Sequence, residues 1–168
     1  LAELYKGFFR KEDQSKYFIP SQMTFFGREV KSRALRLAVG VVLVSATFSV
    51  LFFTQRIETF WQFLGVSYGT GLLVSLGGAY KDAPFEGFSP TKFQRSALVL
   101  AASTPLFYWI GPTPLGVLIF MNGGLERFLV EYYKTYVQRN MSGKFRPDLK
   151  IIQKYKENRE KFHYGALV

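Results

Sequence analysis

Apolar residues run along this chain in blocks rather than in a helical or strand period. Three stretches carry no Asp, Glu, Lys or Arg: Leu37 to Gln55, Thr59 to Tyr80 and Ser96 to Leu125. A helix needs about 20 mostly apolar residues to cross a hydrocarbon core of about 30 Å, and all three stretches approach or exceed that length. A soluble fold would have to bury all three at once. The pattern therefore predicts an all-α integral membrane protein. In lipid each backbone polar group must be satisfied within its own segment, which favours helix even where the first block is rich in Val.

Gln55-Arg56-Ile57-Glu58 is short enough to predict a tight return, making residues 37–80 a transmembrane hairpin. Trp61 and Tyr80 stand near the two ends of its second arm, where interfacial aromatics belong. Residues 81–95 read as a polar loop followed by a helix start, with Ser89 as N-cap and Pro90 in the first turn. The third block is ambiguous. Pro105 and Gly111-Pro112-Thr113-Pro114 either kink one long span or turn a short second hairpin within residues 96–132.

Charge helps to choose. With three spans Lys and Arg divide 11 to 11 between the two sides; with four they divide 21 to 1. Cations concentrate on one side of membrane proteins, so four spans in two hairpins are expected, with three as the alternative. Completing the fourth crossing draws polar groups into or near the bilayer: Asn122, Glu126, Arg127 and Glu131. Intramembrane charge marks functional or paired positions.

Small residues recur every four positions in the second span, as Gly65 and Gly69 and as Ser67, Gly71 and Ser75. Such a stripe lets two helix backbones approach closely. Ser45 and Ser49 offer a matching patch on the first span, and another subunit is an equally good partner.

The flanks change the picture through their charge. The net charge is +10, from 22 Lys+Arg against 12 Asp+Glu. Arg28, Lys31, Arg33, Arg36, Lys92 and Arg95 sit at the ends of apolar runs, which points to anionic headgroups rather than nucleic acid. Residues 1–36 mix aromatics with cations and predict an interfacial arm. Residues 133–168 predict basic amphipathic helices, with Leu149, Ile152 and Tyr155 on one face. The first residue is Leu1, and a removed presequence would fit an organelle-targeted protein.

Candidate chemistry is sparse. Cysteine is absent, which excludes disulfides and thiolate chemistry. The single histidine, His163, has no partner His or Cys and predicts neither a metal site nor a catalytic triad. No phosphate-cradling Gly-rich loop is present. The expectation is thus not an enzyme, with no catalytic, cofactor or metal residues; a structural anionic phospholipid such as cardiolipin is the one ligand the sequence suggests. Small, glycine-rich, four-span organellar proteins, protein-import subunits among them, share this outline without carrying any residue role across. The sequence reads best as a non-catalytic accessory subunit, contacting lipid and neighbouring membrane subunits in a respiratory-chain or ATP-synthase complex. A mitochondrial inner membrane is favoured over a plastid membrane. The alternative is a small transporter or protein-translocation channel component, with Glu126 or Arg127 facing a water-filled path.

Overall fold

The computed structural model describes residues 4–11, 13–14 and 19–133. The predicted C-terminal helices beyond residue 133, and His163 with them, lie outside the described residues. The described residues are mostly helical, with five α-helices and two two-stranded sheets among them. Helix α1 spans Arg33–Ser49 and tightens into a 3-10 turn at Val50–Phe52. Helix α2 spans Phe60–Glu86, α3 Pro90–Ala102, α4 Thr104–Ile110 and α5 Leu115–Tyr132. Among the described residues one helix, α1 with its 3-10 turn, is long and apolar enough to cross a membrane by length and composition.

Local chemistry sets the boundaries. Ser32 opens α1 by accepting a hydrogen bond from the Leu35 N–H. Thr59 and Gln62 form a capping box at the start of α2, each side chain satisfying a backbone donor of the other. Ser89 accepts from the Lys92 N–H with Pro90 in the first turn, as its sequence position predicts. Helix α2 runs six residues past Tyr80, so the loop expected there shrinks to Gly87–Ser89. Charge alone does not break a helix: Lys81, Asp82 and Ala83 continue it, and Pro84 falls in the last turn before Gly87, whose φ of +79° ends it.

The ambiguous third block reverses direction. Ser103 and Pro105 divide it into α3 and α4, and Gly111, at φ +99°, turns the chain into the antiparallel α5. Strand β3, Arg56–Ile57, pairs antiparallel with β4, Thr113–Pro114. The loops at 53–59 and 111–114 are therefore clasped together at one end. This clasp also caps α5. Pro114 provides no side-chain cap, and the Leu115 and Gly116 N–H groups donate instead to Gln55 O at 2.8 Å and Phe53 O at 3.0 Å. Gly116 is required there, because a Cβ would lie 2.2 Å from Val50 O.

Helices α2, α3 and α5 pack together, and α4 joins α2 near the clasp. Phe60 and Phe63 meet Tyr108 edge to face at 5.7 and 5.9 Å. Halfway along, Gly71 faces the backbone of Ala97. These contacts set α3–α4 antiparallel to α2. Phe63, Phe107, Leu118 and Ile57 form the apolar core at the clasped end.

The first pair of helices is not a packed hairpin. Helix α1 lies mainly against the N-terminal arm, a π-helical turn at Tyr5–Phe9, and its 3-10 extension reaches α5. Close packing between α1 and the arm occurs at Gly40, where a Cβ would collide with Phe8 and Phe9. The matching patch expected on α1 does not meet the α2 stripe: Ser45 is exposed, and Ser49 Oγ donates to Ala46 O in its own helix. Beyond the π-turn the arm forms a hairpin of β1, Thr24–Phe25, and β2, Arg28–Glu29. Its tip rests on α2, with Phe26 against Tyr80 and Gly27 against Pro84.

Gly71→Ala and Gly116→Ala are each expected to cost about 1–3 kcal/mol, because backbone rather than a flexible side chain blocks the added methyl. Gly65→Ala meets no atom within 4 Å and is expected to be neutral or to gain up to about 1 kcal/mol of helix propensity. Unfolding of the three variants in one detergent tests this; an unaltered Gly71→Ala would refute the close approach.

Candidate functional site

The polar residues that the sequence singled out separate into a buried seam and a set of outer cations. The seam runs between α2, α3 and α5. On α2, Ser67, Gly71 and Ser75 are buried at four-residue intervals, with Thr70 beside them. On α5, Leu118, Asn122, Glu126 and Val130 repeat the same interval and are all buried. Helix α3 fits between these two stripes through Ser96, Ala97 and Leu100.

Its closest point is at Gly71. A Cβ there would lie 2.4 Å from Ala97 Cα and 2.7 Å from Ser96 O, so the two backbones touch. The other half of the small-residue stripe behaves differently. Gly65 is exposed and Gly69 half-buried, and a Cβ at either would meet nothing within 4 Å. One series thus builds the interior of this chain while the other looks outward.

Ser96 Oγ donates a 2.6 Å hydrogen bond to Glu126 Oε1 across the α3–α5 contact. One turn earlier on α5, Asn122 is fully buried and its Nδ2 donates to Leu118 O at 3.0 Å. Asn122 Oδ1, Ser67 Oγ and Ser75 Oγ are buried and have no hydrogen-bond partner among the described residues. Each buried unpaired polar atom costs about 1–3 kcal/mol. Arg127 and Glu131 point away from the seam and pair with each other at 3.2 Å, half-exposed on the outer face of α5. The four polar residues of this helix therefore divide into two inside and two outside.

No protein-family model, curated protein or solved structure matches this chain. Its chemistry rests on its own side chains. Among the described residues no three His, Asp or Glu side chains cluster as metal ligands. The seam offers one carboxyl held by one hydroxyl, an arrangement that ties helices together.

The six cations assigned to headgroups do not form one patch. Arg28, Lys31, Arg33 and Arg95 are exposed, and Lys92 forms an exposed 2.9 Å ion pair with Glu86. Arg36 differs from the other five. It is only 7% exposed, folded under the N-terminal arm, where its Nη1 donates to Gln22 Oε1. Close by, Lys81 Nζ donates to Ser21 O at 3.2 Å.

Three buried polar residues of the helices, Thr70, Ser96 and Thr104, are absent from the sequence-based candidates. Ser96 reads as the first residue of an apolar block, and Thr104 as part of its interior, yet both are buried. Their signal was available: Ser96, Leu100 and Thr104 carry the four-residue interval that marks the α2 stripe. At the clasped end a surface groove of about 550 Å3 is lined by Glu58, Phe60, Pro105, Tyr108, Trp109 and Pro112.

Ser96→Ala leaves a buried carboxyl oxygen without its donor and is expected to destabilise by about 1–3 kcal/mol. Glu126→Gln keeps a carbonyl acceptor of the same size and is expected to cost less. Denaturant titrations of both variants in detergent check the order, and a harmless Ser96→Ala would remove the hydroxyl–carboxyl contact from the seam.

Proposed function

We propose that this chain is a non-catalytic accessory subunit of a multi-subunit membrane complex, set in the inner membrane of an energy-converting organelle as part of a respiratory-chain or ATP-synthase assembly. A mitochondrion is favoured over a plastid. The observation that carries the reading is the bare surface of α1. This helix is long and apolar enough to cross a bilayer, yet only 11% of its apolar window is buried within the chain. Val41, Val42, Leu43 and Phe48 are exposed along it. Contiguous apolar surface on this scale marks a membrane or protein contact, and a lipid or a neighbouring subunit removes the cost of wetting it.

Four crossings fit this reading, formed by α1, α2, the broken α3–α4 pair and α5. Trp61 and Tyr80 on α2 are separated by roughly 28 Å at 1.5 Å per residue, close to the thickness of a hydrocarbon core. Trp61 and Trp109 are exposed toward the clasped end, and Phe25, Phe26 and Tyr80 toward the other. Aromatic residues at two levels are what two membrane interfaces require. Arg56 is the lone cation of the clasped loops, in keeping with the one-sided distribution of charge.

Transport or protein translocation is the competing reading. It requires Glu126 or Arg127 to face a water-filled path. Glu126 is instead closed in by Ser96, and Arg127 pairs with Glu131 on the outside. Both arrangements favour a packing role. The outward face of α2, with Gly65 and Gly69 open and Trp61, Leu73 and Leu76 exposed near them, is the surface best suited to a partner helix.

Gly69→Leu is expected to insert into the membrane and to leave this chain's own stability unchanged, because its side chain meets nothing internal. It is expected to strip most of the partner polypeptides that accompany the protein on gentle extraction. Undiminished partner recovery from both Gly65→Leu and Gly69→Leu would count against the subunit reading.

A further inference from the structure

We propose that Arg36 forms a stoichiometric site for an anionic phospholipid, its guanidinium binding the headgroup phosphate at the root of α1. The inference rests on the membrane placement proposed above and goes beyond it, because a site of this kind selects a headgroup and is distinct from diffuse attraction to a surface.

The starting point is an imbalance of charge. A guanidinium stays protonated in proteins and carries five N–H donors in a planar fork. Arg36 is more than nine-tenths buried. Its Nη1 donates to the neutral amide oxygen of Gln22, its Nε is buried without an acceptor, and among the described residues no carboxylate pairs with it. Burying a cation without an anion is strongly unfavourable, because desolvation is not repaid by a partner charge. Gln22 supplies a dipole, which is a partial remedy.

The surroundings fit an incoming anion. Gln22 Nε2 donates to Arg10 O at 3.1 Å, so the amide is held with its oxygen toward Arg36. Lys81, from α2, donates to the carbonyl of the adjacent Ser21. Cations from two different helices thus reach two consecutive residues of the arm. Arg36 is also the fourth residue of α1, beside the N–H groups of its first turn, where the helix dipole favours negative charge. Lys31 and Arg33 are exposed on the approach.

The position of the site identifies the source of the phosphate. Arg36 directly precedes the apolar run that begins at Leu37, and Tyr80, next to Lys81, marks the same interfacial level. Phosphodiesters concentrate at that depth. Two turns past Arg36 on the same face of α1, the exposed Leu43 gives an acyl chain a surface to follow. A free phosphate would have no use for that surface. Two phosphodiester oxygens can take Nε–H and Nη–H together, the bidentate geometry that arginine forms with phosphate, with the neutral Gln22 amide giving way.

The test uses the full chain, purified in a neutral detergent and examined by native mass spectrometry and thermal unfolding. Phosphatidylglycerol, phosphatidylcholine of the same acyl chains, and inorganic phosphate are added separately. One tightly retained phosphatidylglycerol is expected, with stabilisation that neither phosphatidylcholine nor inorganic phosphate reproduces. Arg36→Gln is expected to lower phosphatidylglycerol affinity at least about tenfold, Arg36→Lys less, and the exposed Arg28→Gln hardly at all. Equal affinity in Arg36→Gln, or an equal loss in Arg28→Gln, overturns the proposal. Should Arg36→Gln fail to fold, the wild-type comparison decides. Selectivity for phosphatidylglycerol supports the site; indifference to headgroup, or full replacement by inorganic phosphate, overturns it. A carbonate wash of the native membrane separates the two readings. Protein that stays in the membrane without headgroup selectivity defeats this inference alone, and protein that washes off defeats the membrane reading beneath it.

Discussion

At Gly71 the backbones of α2 and α3 come so close that not even a methyl group fits between them. Several other features depend on that approach. It sets the depth at which α3 lies against α2 and so turns Ser96 toward α5. Ser96 then meets Glu126, and the carboxyl that a sequence reader would send into a water-filled path becomes a bond between two helices. In the proposed membrane setting, helices gain little from the hydrophobic effect on meeting one another, and association rests on close packing and on hydrogen bonds across the contact. This seam has both.

The fold divides its surfaces accordingly. Helices α2, α3 and α5 share the seam and are closed at one end by the clasp between β3 and β4. That clasp solves a backbone problem as well as a packing one, since the first N–H groups of α5 find carbonyls in the loop that follows α1. Helix α1 is held by the arm as far as its midpoint at Gly40 and by the 3-10 turn at its end, and leaves most of its apolar surface exposed. On the proposed reading, that open face is the one a lipid or a neighbouring subunit covers.

Much of this was legible in the sequence because charge-free length and helix caps are local properties. The Ser89-Pro90 start of α3 and the small-residue interval in α2 could be read without any partner helix in view. Other features depend on what lies across the contact. Gly65 and Gly71 carry similar signals, and only the position of Ala97 tells which is inside. Arg36 and Arg33 lie three residues apart on one helix face, yet the arm folds over Arg36 and leaves Arg33 bare, a difference that depends on residues far away in sequence. Lys81 and Asp82 resemble a break because they are polar, whereas the helix stops at the first residue whose backbone requires it, Gly87. Ser96 is not legible locally, because a single hydroxyl at the edge of an apolar block resembles a boundary and its acceptor lies 30 residues away in sequence.

The uncovered α1 and the outward face of α2 tie the functional reading to one quantity, the size of the particle in which this chain resides. Gentle extraction from the native membrane, followed by native mass determination with identification of the components, measures it directly. A large assembly containing this chain in fixed stoichiometry with other membrane subunits is the expected result, and it would name the process served. A lone chain, or a small homo-oligomer active in flux assays, would contradict it.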